Sequence, residues 1–224
     1  MQADPILAAF TAQKARSADR RSSFGLTERR DALDRLAQAI RASEADLVAA
    51  LQSDLGRPEA ETILIDYLPV LQEIRHARRH LRRWMKPRRV APTLASFGAT
   101  ARIVPQPRGV CLIIAPWNLP FALALGPVVS ALAAGNSVIL KPSELTPATS
   151  ALLARMIART FPADLVTVVQ GDKDVAQRLL DQPADVDHAE VQVHLAGLDL
   201  GEIEHIVDER QQVLTGFEDL AEGA

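Results

Sequence analysis

Hydrophobic positions change rhythm near Val110 and again near Asp181, which divides the chain into three stretches. In the first, Leu33, Leu36, Ala37, Ile40, Leu47, Val48 and Leu51 recur at helical spacing. Thr27 precedes Glu28-Arg29-Arg30 and is the expected N-cap, because its hydroxyl can accept an orphan backbone N–H. Gly56 and Pro58 stop this helical region and start another. Ile63, Tyr67, Val70, Leu71, Ile74, Ala77, Leu81, Trp84 and Met85 then form the buried stripe of a long helix that Pro87 ends. Pro69 inside it predicts a kink, since proline donates no backbone hydrogen bond. Between residues 90 and 109 the prolines 92, 105 and 107 and the alternation of Ala101, Ile103 and Pro105 predict a short edge strand leading out of the domain.

From Val110 onward apolar runs alternate with helical patterns. The sequence predicts strands at 110–115, 137–141 and 165–169. Between and after them it predicts helices near 120–134 (closed by Gly135), 147–160 (Thr146 as cap, Pro147 in the first turn) and 172–181. This order specifies an α/β fold: N-terminal helices followed by a doubly wound, mostly parallel sheet. In such sheets ligands bind beyond the carboxyl ends of the strands. Those ends carry Pro116-Trp117-Asn118, Lys141 to Glu144 and Gln170-Gly171-Asp172.

Charge isolates the third stretch. Residues 1–180 hold 24 Lys+Arg against 16 Asp+Glu, whereas residues 181–224 hold one Arg against 12 acids. That break reads as an acidic tail or a change of sequence origin. Within the tail Val191, Val193 and Leu195 alternate as in a strand. Ile203, Ile206, Val207 and Leu214 follow a helical stripe, with Asp199 and Glu202 as a capping box. Such a helix could dock on a bare sheet edge or serve as an interaction module. His188, His194 and His205 lie among the acids, but their spacing matches no zinc pattern and no metal is expected.

Other classes recede on similar grounds. No apolar run reaches the roughly 18 residues needed to cross a bilayer, and the N-terminus lacks the order of a secretory signal. The single cysteine, Cys111, permits no intrachain disulfide, so a cytoplasmic setting is expected. Residues 75–89 carry eight Lys or Arg beside Trp84, but the apolar stripe makes one face core and the charges a solvated face. No nucleic-acid partner is expected.

No G-x-G-x-x-G or Walker-type loop follows any strand. An ammonium and a carboxylate three residues apart, Lys141 and Glu144, could hold the hydroxyls of an adenosine ribose, or could be a solvated turn pair. Asn118 offers an N–H that could stabilise an oxyanion, or an amide that satisfies its own turn.

APWNLP, then LAAGNSVILKPSELTP, then VVQGD, in this order and spacing, resembles the aldehyde dehydrogenase family. HARRHLRRWMKP followed by ARIVPQPRGV is most similar to the class containing coniferyl-aldehyde dehydrogenases. The resemblance covers about residues 5–182 and implies a truncated NAD(P)-binding domain of Rossmann-like type over residues 1–182, with 183–224 as the separate acidic tail. It implies that Asn118 stabilises the thiohemiacetal oxyanion and that Ala115, Pro116 and Trp117 line the cofactor cleft. Lys141, Ser143 and Glu144 would surround the adenosine ribose, and Gly171 would pass under the adenine side. The implied cofactor is NAD or NADP, with NAD favoured because the Glu144 carboxylate would accept from the 2′-OH. The implied substrate is an aldehyde, oxidised to a carboxylic acid. Residues 97–109 would form a strand of the arm through which the family makes homo-oligomers.

After Gln182-Pro183 the family pattern leads to a Glu-Leu-Gly-Gly motif carrying the general base, and later to a cysteine nucleophile. This sequence echoes it faintly at Asp187-His188 and then diverges. Cys111 sits inside an apolar strand and reads as a buried small hydrophobe. The expectation is therefore a truncated or frameshifted relative, silent in catalysis, with a bare sheet edge and uncovered helix faces. The alternative is a nucleotide-binding or protein-interaction fragment that uses the acidic C-terminal helix.

Overall fold

The computed structural model describes residues 5–90, 101–181 and 194–195. Helices α1 (Pro5–Ser23), α2 (Leu26–Ala42) and α3 (Glu44–Leu55) come first. α4 (Glu59–Glu61), a π-turn over Thr62–Tyr67 and α5 (Leu68–Trp84) then run on as one helical rod. β1 (Arg88–Val90) and β2 (Ala101–Ile103) pair antiparallel as a ribbon of their own, separate from the main sheet. The rest alternates: β3 (Val110–Ile114), α6 (Ala122–Ala134), β4 (Ser137–Lys141), α7 (Pro147–Thr160), β5 (Val166–Val168), α8 (Lys173–Leu180) and β6 (His194–Leu195).

The main sheet has the order β5-β4-β3-β6, and each neighbouring pair is parallel. The chain steps outward from β3 to β4 to β5, then returns to the opposite side of β3. Strand order therefore reverses at β3, and such a reversal opens a crevice at the carboxyl ends of the strands. The side of β3 that the sequence left bare is paired here with His194–Leu195, from the acidic tail.

Both faces of the sheet are covered, as a parallel sheet requires. Val110, Leu112, Ile114 and Ile139 face Ile6 of α1 and Leu179 of α8. Cys111, Ile113, Val138 and Leu140 face the larger core of α2, α5, α6 and α7. Ile113 is 2% exposed, and burying a side chain of that size is worth about 1.5–3 kcal/mol. α6 is apolar nearly all round because it lies in the middle of this core, and its packing tolerates Pro127 inside the helix. It ends at Gly135, whose φ of 92° favours glycine. A β-carbon there would meet the Arg29 guanidinium at 2.4 Å. Arg29 is buried and donates to the carbonyls of Phe24 (2.9 Å) and Ala133 (3.1 Å), placing a cation at the carboxyl end of α6.

Several expectations change in detail. α2 begins at Leu26 with Gly25 in the cap position, so Thr27 lies inside the helix and caps nothing. The stripe from Leu33 to Leu51 is split at Ser43 into two helices that keep a common buried side. Pro69, expected to kink the middle of a long helix, instead stands in the first turn of α5, directly after the π-turn. Trp84 belongs to the stripe by spacing, yet it is 41% exposed at the helix end, in a ring ladder with His76 and His80. Thr146 holds the cap position of α7 without making a side-chain cap bond. Asp187, His188, Val191, Val193, Asp199, Glu202, Ile203, His205, Ile206, Val207 and Leu214, named from the sequence, lie outside the described residues. Among the described residues no helix is long and apolar enough to cross a membrane, and no group of three metal-ligating side chains occurs.

Candidate functional site

The register of the parallel strands brings three loops together. Ile114 is opposite Lys141, and Leu140 is opposite Val168, so the strands end side by side. The ladder continues one step further as the Ala115 N–H donates to the Lys141 carbonyl at 2.9 Å. Pro116 has no N–H to continue it, and the chain turns out of the sheet. Ala115 and Pro116 are buried, whereas Trp117 (48% exposed) and Asn118 reach solvent.

A buried ion pair fixes that turn. Asp66, in the π-turn, is fully buried and accepts from the backbone N–H groups of Phe121 (3.2 Å) and Ala122 (2.9 Å), capping α6. Its other oxygen accepts from Arg57. Arg57 also donates to the Asn118 carbonyl at 2.7 Å and pairs with Glu61 at 3.3 Å. Burial pushes the Asp66 carboxyl above the usual carboxylate range, against the pull of the Ala122 amide and the Arg57 charge.

At the end of β4, Lys141 is 3% exposed and its Nζ lies 2.7 Å from the Glu144 carboxylate. Burial tends to raise Glu144, but the Lys141 hydrogen bond and charge hold it below the usual range. Ser143 is buried. Its Oγ accepts from the Leu145 N–H at 3.2 Å and its carbonyl accepts from the Ser150 hydroxyl at 2.7 Å, tying the turn to α7. The cap of α7 comes from far away in sequence. Asp54, in α3, accepts from the N–H of Ala148 (3.0 Å) and from the N–H and hydroxyl of Thr149 (2.8 Å each).

At the end of β5, Gly171 adopts φ 153°, and a β-carbon there would stand 2.4 Å from the Val175 side chain. Asp172 caps α8 by accepting from the N–H of Asp174 (3.1 Å) and Val175 (3.3 Å). Cys111 stands apart from these loops, inside β3, where burial pushes its thiol up to about 11. A cavity of about 380 Å³ lies elsewhere, against Arg29, Trp84, Ala133 and Ala134, where α6 ends and the chain enters β4.

The predicted residues Ala115, Pro116, Trp117, Asn118, Lys141, Ser143, Glu144 and Gly171 thus lie on three adjoining strand ends, which offer an exposed amide, an exposed indole and an ion pair with one half-exposed carboxylate. Sequence reasoning missed Arg57, Asp66 and Asp54. A signal existed for two of them: Asp66 lies three residues beyond Ile63, and Asp54 three beyond Leu51, on the buried side of otherwise apolar stripes.

Comparison with known proteins adds to this geometry. The profile of the aldehyde dehydrogenase family matches residues 2–191. An aldehyde dehydrogenase of Craterostigma plantagineum is 44% identical over 137 residues, which are 61% of this chain and 29% of that protein. A coniferyl aldehyde dehydrogenase of Pseudomonas sp. HR199 is 40% identical over 68% of this chain and 32% of its own length. The 4,4'-diaponeurosporen-aldehyde dehydrogenase of Staphylococcus aureus is 38% identical over 70% of this chain and 34% of its own. The structure of the substrate-bound state of Staphylococcus aureus AldH matches with a TM-score of 0.75 and 34% identity, covering 80% of this chain and 39% of that one. The chain spans about a third of the length of these curated relatives.

Proposed function

The chain belongs to the aldehyde dehydrogenase family, and from that premise we propose that it supplies the NAD(P)-binding cleft and the oxyanion donor of an aldehyde-oxidising site. The observation that carries this reading is the meeting of Asn118, Lys141, Glu144 and Gly171 at strand ends beside the point where strand order reverses. The donor set suits a dinucleotide: a buried ammonium and a half-exposed carboxylate can bond the two hydroxyls of a ribose. Ser143 and Gly171 frame this end of the cleft, while Ala115, Pro116 and Trp117 wall the other. Glu144 favours NAD, because its charge would repel a 2′-phosphate while its oxygens accept from a 2′-hydroxyl.

A bound NAD(P) would supply the hydride acceptor, and the residues of the three loops would bind and orient it. The Asn118 amide is the donor for an oxyanion developing on the aldehyde oxygen. The attacking thiolate has to come from elsewhere, because the single cysteine, Cys111, is buried in β3 with its thiol pushed up to about 11. These 224 residues by themselves therefore bind nucleotide without completing the oxidation.

Calorimetric titration with NAD and with NADP tests the first half: saturable heat, stronger for NAD, is expected, and no heat with either refutes it. NADH formation with a panel of aromatic and aliphatic aldehydes tests the second, and sustained turnover by this chain alone would overturn it.

A further inference from the structure

The residues that present the Asn118 loop are themselves held by a device that no ligand role accounts for. The loop between β3 and α6 is tied at three points: the Ala115 N–H to β4, the Asn118 carbonyl to Arg57, and the N–H groups of Phe121 and Ala122 to Asp66. Two of these ties come from one buried pair, with Asp66 fully buried and the Arg57 side chain 11% exposed. A helix N-terminus is capped more simply by a local Ser, Thr or Asp, and a buried ion pair adds little net stability compared with apolar packing. What it adds is geometry: the planar guanidinium forks between a carboxylate and one particular carbonyl. The π-turn that carries Asp66 interrupts the helical rod at the position that faces the start of α6. Single π-helical turns inside α-helices are rare overall and frequent at functional sites.

We propose that Arg57 and Asp66 are positioning residues, which together fix the loop backbone so that the Asn118 amide and the Trp117 indole stand at the carboxyl end of β3. The inference rests on the reading of Asn118 and Trp117 as site residues, and both partners act through the loop and not through ligand contact. Arg57→Lys keeps a charge beside Asp66 but loses the fork that reaches Asn118. Asp66→Asn keeps one carbonyl oxygen for the α6 amides and loses the charge that orients Arg57.

The test uses the full chain in a Trp84→Phe background, which leaves Trp117 as the single fluorophore of its kind. Three quantities are read for R57K and D66N: anisotropy and acrylamide quenching of Trp117 without ligand, NAD affinity by calorimetry, and thermal unfolding. R57K is expected to mobilise and expose Trp117 in the free protein and to weaken NAD binding about tenfold, the effect of one lost charge-assisted hydrogen bond. E144A, at the other end of the cleft, should weaken NAD while leaving Trp117 quenching as it was. Should D66N fail to fold, R57K alone decides. Unchanged Trp117 signals in a folded R57K would make the pair purely structural and overturn the proposal. If the parent chain binds neither nucleotide, the site reading fails, while the ligand-free Trp117 signal still decides whether the pair holds the loop.

Discussion

Replacing Asp54 with Ala should destabilise the chain by about 3 kcal/mol, an unusual cost for a side chain near the protein surface. The magnitude follows from three hydrogen bonds. Asp54 accepts from the N–H of Ala148 at 3.0 Å, and from the N–H and hydroxyl of Thr149 at 2.8 Å each. Thr149 is fully buried, so its donors find no water when the carboxylate is gone. An unsatisfied buried donor costs about 1–3 kcal/mol, and loss of an N-cap alone costs about 0.5–2 kcal/mol. Thr146, at the cap position, makes no side-chain cap bond that would compensate. For a chain of this size, about 3 kcal/mol lowers Tm by roughly 6–12 °C. Urea unfolding of D54A and D54N checks the figure, with the Asn variant, which keeps one acceptor oxygen, losing about half as much. A D54A variant within about 0.5 kcal/mol of the parent would show that α7 needs no remote cap.

Gly171→Ala should cost about 1–3 kcal/mol, through its positive φ and the 2.4 Å approach to Val175; Val175→Ala should recover part of this in the double variant, as read by thermal unfolding. Cys111 should resist alkylation at neutral pH until the chain unfolds, and C111A should leave NAD binding unchanged. Its thiol, raised by burial from 9.0 to about 11, stabilises the fold fully below the unfolded value; that contribution, up to about 3 kcal/mol, is lost as pH rises through this window, and C111A should flatten that part of a stability profile. Lys141→Met should raise the pH at which the Glu144 carboxyl titrates, followed by carbon-detected NMR. Because Glu144 is held below 4.5, its stabilising contribution is present above that value and lost as pH falls through the depressed one, and its 43% exposure keeps the effect small.

Much of the architecture was legible because periodicity records burial directly. Val110 to Ala115 and Ser137 to Lys141 read as buried strands since both of their faces are apolar, and both faces are indeed covered. Gly135 marked the end of α6 for a steric reason that survives in the structure, its φ of 92°. The strand-end loops followed from the alternation of strands and helices alone. What escaped reading were the partners across the fold. Thr27 and Thr146 have the chemistry of a cap, but Gly25 holds the first cap position without a side-chain bond and Asp54 caps α7 from afar, because capping depends on which oxygen lies within reach and not on which residue is adjacent. Nothing in the sequence around Arg57 reveals that the Asn118 carbonyl, 61 residues away, accepts from its second nitrogen. The pairing of His194–Leu195 with β3 was legible only as alternation, without a partner or a direction.

The two remote caps also set an order of events. Asp66 and the first amides of α6 are 55 residues apart in sequence, and Asp54 and those of α7 are 94 or more apart. Closing loops of that length precedes any gain from the bonds they make, so contacts of this separation form late in folding. Both helices that lead away from the candidate site therefore begin at amides that gain their protein partner only when α3 packs on α7 and the π-turn on α6. Pulsed hydrogen exchange during refolding should therefore find the first amides of α6 and α7, beside the cleft, protected later than those of β3 and β4.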